Sequence, residues 1–235
     1  MVDVDFAAYP GLDERLASVR EGIADACRSA SREADEVTLI VVTKFHPASL
    51  VAALAQLGVR DVGENRHQEA QAKADELAEL GLRWHFIGQL QTKKARQAAR
   101  YANAIHSIDR ERLVDALATV EAPQPIEAFV QVNLTDDPGR GGAAPEELER
   151  IAERVLDTPT LRLRGIMAVA PLPEEEAPAS AFARLRKYSE RLRLLAPEAT
   201  AISAGMTHDY REAIDAGATH LRIGSAITGK RPDPR

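Results

Sequence analysis

The chain has 235 residues, 45% of them hydrophobic, and a formal net charge of -6 with a sequence pI near 5.6. That length and apolar content suffice for one large buried core, while the acidic balance argues against a surface built to neutralise nucleic-acid phosphates and points to a small partner. The lone cysteine, Cys27, excludes an intrachain disulfide; nothing at the N-terminus resembles a secretion signal and no apolar run could span a bilayer, so a soluble, cytoplasmic protein is expected.

In chain order, Leu12, Leu16, Val19 and Ile23 recur at helical spacing and predict an amphipathic helix over residues 11–33, with Cys27 near its inner face. Eight short β-forming runs follow: VTLIVVTKF (37–45), RDVGEN (60–65), LRWHFIG (82–88), NAIHSID (103–109), IEAFVQVNL (126–134), LRLRGIMAVA (161–170), ATAISAG (199–205) and HLRIGSAI (220–227). Between them, Leu50, Leu54 and Leu57, then Ala70, Ala74 and Leu77, fall on single helix faces, as do Leu148, Ile151 and Val155. Strands joined by helices run parallel, and eight such units in about 190 residues predict an α/β fold, a closed (β/α)8 TIM barrel with an extra N-terminal helix. A doubly wound open sheet is the rival. It would place a glycine fingerprint after its first strand, where residues 44–50 contain no glycine. The formal match GRGGAA (139–144) follows the fifth strand and reads as a loop, and PLPEEEAP (171–178) reads as an exposed connector entering a helix.

Five of the six lysines (Lys73, Lys93, Lys94, Lys187 and Lys230) sit among polar or charged neighbours and read as solvated amines; Lys44 ends an apolar run, where water should be scarce. Barrel chemistry collects where strands run out into the following loops. Lys44, Asn65, His85, Ser107, Asn133, Met167, Ser203 and Arg222 lie at or near such ends. Asn65 and Ser107 also suit helix caps, Met167 the core, and His85 a hydrogen-bonded structural role. No histidine pair has metal-ligand spacing with an acidic partner, so no metal site is expected. The segments ISAGMTHDY (202–210) and RIGSAITG (222–229) bring small residues and hydroxyls to the last two strand ends, a composition suited to a phosphate monoester. In a closed barrel the first and eighth strands are neighbours, so this cradle would share a mouth with Lys44. A sheltered amine and a phosphate grip specify pyridoxal phosphate held as an imine, or a lysine aldolase acting on sugar phosphates.

The pieces VTK (42–44), GEN with QE (63–65 and 68–69), WHFIGQLQ (84–91), SID (107–109), QVN (131–133), GIM (165–167), SAGMTHDY (203–210) and RIGSAITGKR (222–231) carry a resemblance over nearly the whole chain. They resemble the YggS/PROSC-type pyridoxal phosphate homeostasis proteins, whose barrel is similar to the N-terminal domain of alanine racemases. The resemblance implies one cofactor-binding domain over residues 1–235. It implies that Lys44 holds pyridoxal 5'-phosphate as a Schiff base and that Ser203, Gly205, Met206, Thr207, Gly224 and Ser225 surround the phosphate. Arg222 would approach the ring nitrogen, and Asn65 would line the pocket. Arg140 stands where the family often has lysine, and a guanidinium forms no stable imine.

A permanent cation at the ring nitrogen discourages its protonation and weakens the ring as an electron sink. Alanine racemases take a second base, a tyrosine, from a further domain and a partner subunit. Among Tyr9, Tyr101, Tyr188 and Tyr210, only Tyr210 lies near the mouth by sequence, and it is expected to face outward. The expected function is a pyridoxal phosphate carrier with no catalytic residues, serving intracellular vitamin B6 and amino-acid homeostasis; a weak amino-acid racemase is the alternative. Expected partners are the cofactor and pyridoxal phosphate-dependent apo-enzymes, with no nucleic acid and no membrane, and the chain is read as a monomer.

Overall fold

The computed structural model describes residues 5–121 and 124–230. The leading helix α1 spans Leu12–Ser29 and buries Leu12, Leu16, Ile23, Ala26 and Cys27. It stops four residues before the expected end, because Ser31 turns left-handed (φ 55°). Ser31 N–H then donates to Arg28 O at 3.1 Å and Arg32 N–H to Cys27 O at 2.9 Å. These bonds satisfy the last carbonyls and end the helix.

Eight strands follow: β1 (Thr38–Val42), β2 (Asp61–Glu64), β3 (Arg83–Phe86), β4 (Ala104–Ile108), β5 (Ile126–Gln131), β6 (Leu161–Met167), β7 (Ala201–Ser203) and β8 (His220–Ile223). They pair in sequence order, all parallel, and close when β1 meets β8 with Ile40 opposite Arg222. The connectors α2 (Ala48–Gln56), α3 (His67–Glu76), α4 (Ala95–Ala98), α5 (Glu111–Ala118), α6 (Leu148–Leu156), α7 (Pro178–Leu195) and α8 (Tyr210–Asp215) surround the barrel, and α9 (Ser225–Thr228) follows β8. This is the (β/α)8 barrel expected from the alternation, with α1 packed against α8 and α9. Residues 139–144 form a 3-10 turn and loop, as the sequence suggests.

Side chains alternate across each strand. Outward residues such as Val41, Trp84, Phe86, Leu221 and Ile223 join the large core under the helices. Ala104, Phe129, Met167 and Ala201 form a separate apolar cluster. Between β5 and β6 the register shifts at Gly165, whose φ is 155°. A Cβ there would lie 1.8 Å from Ala201 O, a backbone atom of the paired strand. Gly165→Ala is therefore expected to cost about 2–3 kcal/mol of stability through overpacking and strain; an unchanged thermal midpoint would contradict this.

Candidate functional site

Lys44 lies two residues beyond Val42, in the turn that leaves β1. It is half-buried, and its amine has no hydrogen bond or ion pair with any described residue. The next residue, Phe45, is left-handed (φ 69°), which costs a side-chain-bearing residue about 1–2 kcal/mol. Its N–H donates to Glu69 Oε2 at 3.2 Å, and the Arg66 guanidinium lies 4.7 Å from its ring centroid. Below the turn, Lys73 Nζ donates to Thr43 O at 2.9 Å and to Glu64 Oε1 at 2.6 Å; Thr43 Oγ1 donates to the same carboxylate at 2.7 Å.

Lys73 corrects the sequence reading. Expected as a solvated amine, it is 7% exposed, because it shares the inner face of α3 with Ala70 and Ala74 and meets Glu64, itself 1% exposed. Burial pushes the Glu64 carboxyl up from its ordinary range, while Lys73 and Thr43 pull it back. Together the buried pair and the Phe45 contacts hold the backbone on both sides of Lys44.

Across the β1–β8 seam, β7 and β8 supply the second group. Gly205 adopts φ 91°, and a Cβ there would come within 2.8 Å of both Ala213 Cβ and Leu221 Cδ2, so the close turn requires glycine. Asp209 Oδ1 accepts the Met206 N–H at 2.5 Å and pins the segment 205–209, leaving Met206 exposed and Thr207 half-buried. Gly224 is half-buried, and Ser225 opens α9 at the surface; Ile227 and Thr228 N–H donate to Gly224 O (2.8 and 2.9 Å), which leaves the Ser225 and Ala226 N–H groups without a backbone partner. Asn65 Oδ1 and Ser107 Oγ, near the ends of β2 and β4, are buried atoms without a hydrogen-bond partner. Such atoms cost about 1–3 kcal/mol when left unmatched.

Arg222 is 5% exposed and points into the barrel, donating from Nη1 to Ser203 Oγ at 2.7 Å and from Nη2 to Ala168 O at 2.9 Å. Burial brings its guanidinium down to about 10, with Asp209 opposing the shift, so it is a cation at neutral pH. Ser203 departs from the expectation of a phosphate-facing hydroxyl. It is fully buried, and its Oγ lies 2.8 Å from His106 Nδ1 as well as beside Arg222. His85 Nδ1 lies 2.9 Å from His106 Nε2, and His85 Nε2 lies 2.9 Å from Asp61 Oδ1. His85 is thus hydrogen-bonded in the barrel interior, as its sequence context suggests. His106 stacks on Phe129 (4.2 Å, 9°) and is held well below the ordinary imidazole range by burial first, then by His85, Arg222 and His220. Burial likewise brings His220 down to about 3.

Other candidates fall elsewhere. Asn133 Oδ1 accepts from Thr135 N–H (2.9 Å) and its amide donates to Asp137 O (2.9 Å), so it shapes the loop after β5. Met167 is core. Tyr210 packs beside Gly22 of α1, on the outer side of the barrel. A groove of about 1200 Å³ runs beside the mouth between Tyr9, Arg15, Phe45, Arg66, Thr228 and Lys230; Lys44 and Arg222 do not line it. Arg231, the last residue of the RIGSAITGKR segment, lies outside the described residues. Among the described residues no His, Cys, Asp and Glu group could hold a metal ion, and no helix is long and apolar enough to cross a membrane.

A sequence profile described as "Alanine racemase, N-terminal domain" matches residues 19–232. The pyridoxal phosphate homeostasis protein of Mycobacterium tuberculosis (strain H37Rv) is 40% identical over 252 residues, covering 97% of each chain. The chain belongs to the pyridoxal phosphate homeostasis protein family. Another relative among these homeostasis proteins, from Escherichia coli K12, is 39% identical over 232 residues, covering 92% of this chain and 95% of that one. PipY of Synechococcus elongatus PCC7942, solved with pyridoxal phosphate bound, superposes with a TM-score of 0.76 at 33% identity, covering 93% of this chain and 100% of that one.

Within this family member, sequence reasoning missed Asp61, His106 and His220 as barrel-interior polar groups and Glu64 with Lys73 as a buried pair. Parity was the available signal. Asp61, His85, His106, Ser203 and Arg222 share the inward phase of their strands, and polar residues on that phase call for partners.

Proposed function

We propose that this protein is a pyridoxal 5'-phosphate carrier that holds the cofactor covalently on Lys44 and serves cofactor and amino-acid homeostasis in the cytoplasm, without catalytic turnover. The observation that carries the reading is the unpaired, half-buried Lys44 amine at the mouth of a closed barrel whose adjoining strand presents the Arg222 cation. Three features support the fit to this cofactor. The amine can add to an aldehyde carbon with loss of water; the 205–207 turn and the start of α9 offer small residues, hydroxyls and free N–H groups to a phosphate; and Asn65 Oδ1 and Ser107 Oγ await polar partners. When bound, the cofactor supplies an electrophilic carbonyl and an electron-withdrawing ring.

Each residue then has a defined task. Lys44 is the attachment point. Gly205, Met206, Thr207, Gly224 and Ser225 line the phosphate site. Asn65 lines the pocket wall, and Arg222 meets the ring nitrogen and keeps it from taking a proton, with Ser203 acting through Arg222. The chain works as one cofactor-binding domain, a monomer that hands its cargo to apo-enzymes. Tyr210 packs on α1, away from the mouth, which supports an incomplete set for racemisation, a reaction that needs acid and base groups on opposite faces of the substrate.

Chiral analysis of amino acids incubated with the purified protein tests the non-catalytic part. Stereoinversion above the free-cofactor background, lost in Lys44→Ala, would overturn it. For the ring contact, Arg222→Ala is expected to weaken cofactor retention about tenfold or more, consistent with loss of a hydrogen bond to a charged group. Unchanged retention, measured by equilibrium dialysis, would mean that Arg222 does not meet the ring.

A further inference from the structure

The interior of the barrel holds a continuous series of hydrogen bonds, Asp61 to His85 to His106 to Ser203 to Arg222, joining strands β2, β3, β4, β7 and β8. Its far end opens into a cavity of about 390 Å³ lined by Asp61, Arg83, Glu127, Arg164 and His220. Both ends have fixed chemistry. Arginine only donates, and an ionised carboxylate only accepts. Asp61 is held in place by Arg83, whose Nε lies 3.3 Å from the same Oδ1 that meets His85.

These ends set the direction of every link between them. The carboxylate requires a proton on His85 Nε2; neutral His85 then has a bare Nδ1, which requires a proton on His106 Nε2. Neutral His106 in turn has a bare Nδ1, which accepts the Ser203 hydroxyl proton. Ser203 Oγ is left with its lone pairs toward Arg222 Nη1. The reversed arrangement needs His85 as an imidazolium. It would aim His106 Nδ1–H and Arg222 Nη1–H at one hydroxyl oxygen, whose own proton would have no acceptor among the described residues, and would place a second buried cation near Arg222. Hydrogen bonds aligned in one direction also polarise and strengthen one another.

We propose that Asp61, acting through neutral His85 and His106, orients the Ser203 hydroxyl so that its oxygen grips Arg222, making Asp61, His85, His106 and Ser203 positioning residues for the guanidinium at the cofactor site. Ala168 O and Ser203 Oγ together hold two of the arginine nitrogens, which aims the remaining edge. The step from Arg222 to cofactor affinity rests on the proposed function; the direction of the series does not.

Nitrogen-15 NMR of histidine-labelled full chain at pH 7.5, without added cofactor, tests the direction. His85 and His106 are expected as neutral Nε2–H tautomers. A His85 imidazolium, or His106 as the Nδ1–H tautomer, overturns the proposal without any substitution. In Asp61→Leu, which removes the acceptor for His85 Nε2–H and leaves the Arg83 donor beside it, His106 is expected to shift toward the Nδ1–H form. Pyridoxal phosphate dissociation should rise about five-fold, the scale of one weakened hydrogen bond. Wild-type tautomers or wild-type affinity in that variant would equally overturn the proposal. If the native chain binds no pyridoxal phosphate, the carrier reading falls, and the tautomers alone decide the direction of the series.

Discussion

Lys44→Ala is expected to lose the visible absorbance of the freshly purified protein and, after borohydride reduction, to carry no pyridoxyl adduct, whereas the native chain is expected to carry it on the peptide containing residue 44. The expectation rests on competition among six amines. Lys93, Lys187 and Lys230 are exposed, where water has free access to hydrolyse a captured aldehyde, and half-buried Lys94 lies in the 3-10 turn Thr92–Lys94, well beyond the end of β3. Lys73 is sheltered, but its nitrogen is committed to Thr43 O and Glu64 Oε1. Lys44 alone among the strand-end residues pairs shelter with an uncommitted nitrogen, in a backbone turn held from both sides. Peptide mapping that finds the adduct on Lys73, or on a scatter of surface lysines, would sink the assignment.

The second large effect is on stability. Lys73→Met keeps the length and apolar stem of the side chain but removes the partner of a nearly fully buried carboxylate, for which the typical loss is about 3–5 kcal/mol, or roughly 6–20 °C in melting temperature for a chain of this size. The loss depends on pH in a direction fixed by Glu64. Its carboxyl is already raised in the folded chain by burial, and without Lys73 it rises further. A carboxyl whose folded pKa exceeds its unfolded value binds its proton more tightly when folded, so stability falls as pH rises above the ordinary carboxylate range. The variant should therefore lie closest to the native chain near pH 5 and fall furthest behind at pH 8. The double variant Glu64→Gln with Lys73→Met should recover part of the loss, because no uncompensated charge remains. Thermal melts of the three proteins at both pH values check the sign as well as the size; a Lys73→Met deficit that is larger at pH 5 would contradict the role given to Glu64.

The unoccupied acceptor on Glu64 bears on both results. Oε1 takes protons from Thr43 and Lys73, while Oε2 is buried with no partner. A carboxylate so placed is only half satisfied, which explains why burial outweighs the lysine in setting its proton affinity. The arrangement nonetheless ties the residue before Lys44 to β2 and α3. A stability deficit in Lys73→Met is therefore expected to come with looser cofactor retention, even though Lys73 is not among the residues proposed to hold the cofactor.

Much of the barrel was legible in the chain because its signals are local. Period-two apolar runs and period-3.6 faces lie within single segments, so all eight strands and their order could be read before any contact was known. Gly205, Gly224 and Arg222 stood out for the same reason: small residues and a cation at strand ends have a meaning that needs few neighbours. The early end of α1 was less visible, since serine in a left-handed turn leaves no strong mark in sequence; the same residue would have served inside the helix.

What the sequence by itself determined is the alternation of strands and helices, the shared mouth, and the presence there of one amine with a phosphate-suited pair of segments. Only the tertiary structure decided which polar side chains pair inside. Glu64 meets Lys73 because α3 folds back on β2, and Asp61 reaches Arg222 through three intermediates on three other strands because the sheet closes. Periodicity is set by the backbone geometry of one segment, whereas the burial of a charge and the direction of a hydrogen bond depend on whatever the closed barrel brings within about 3 Å.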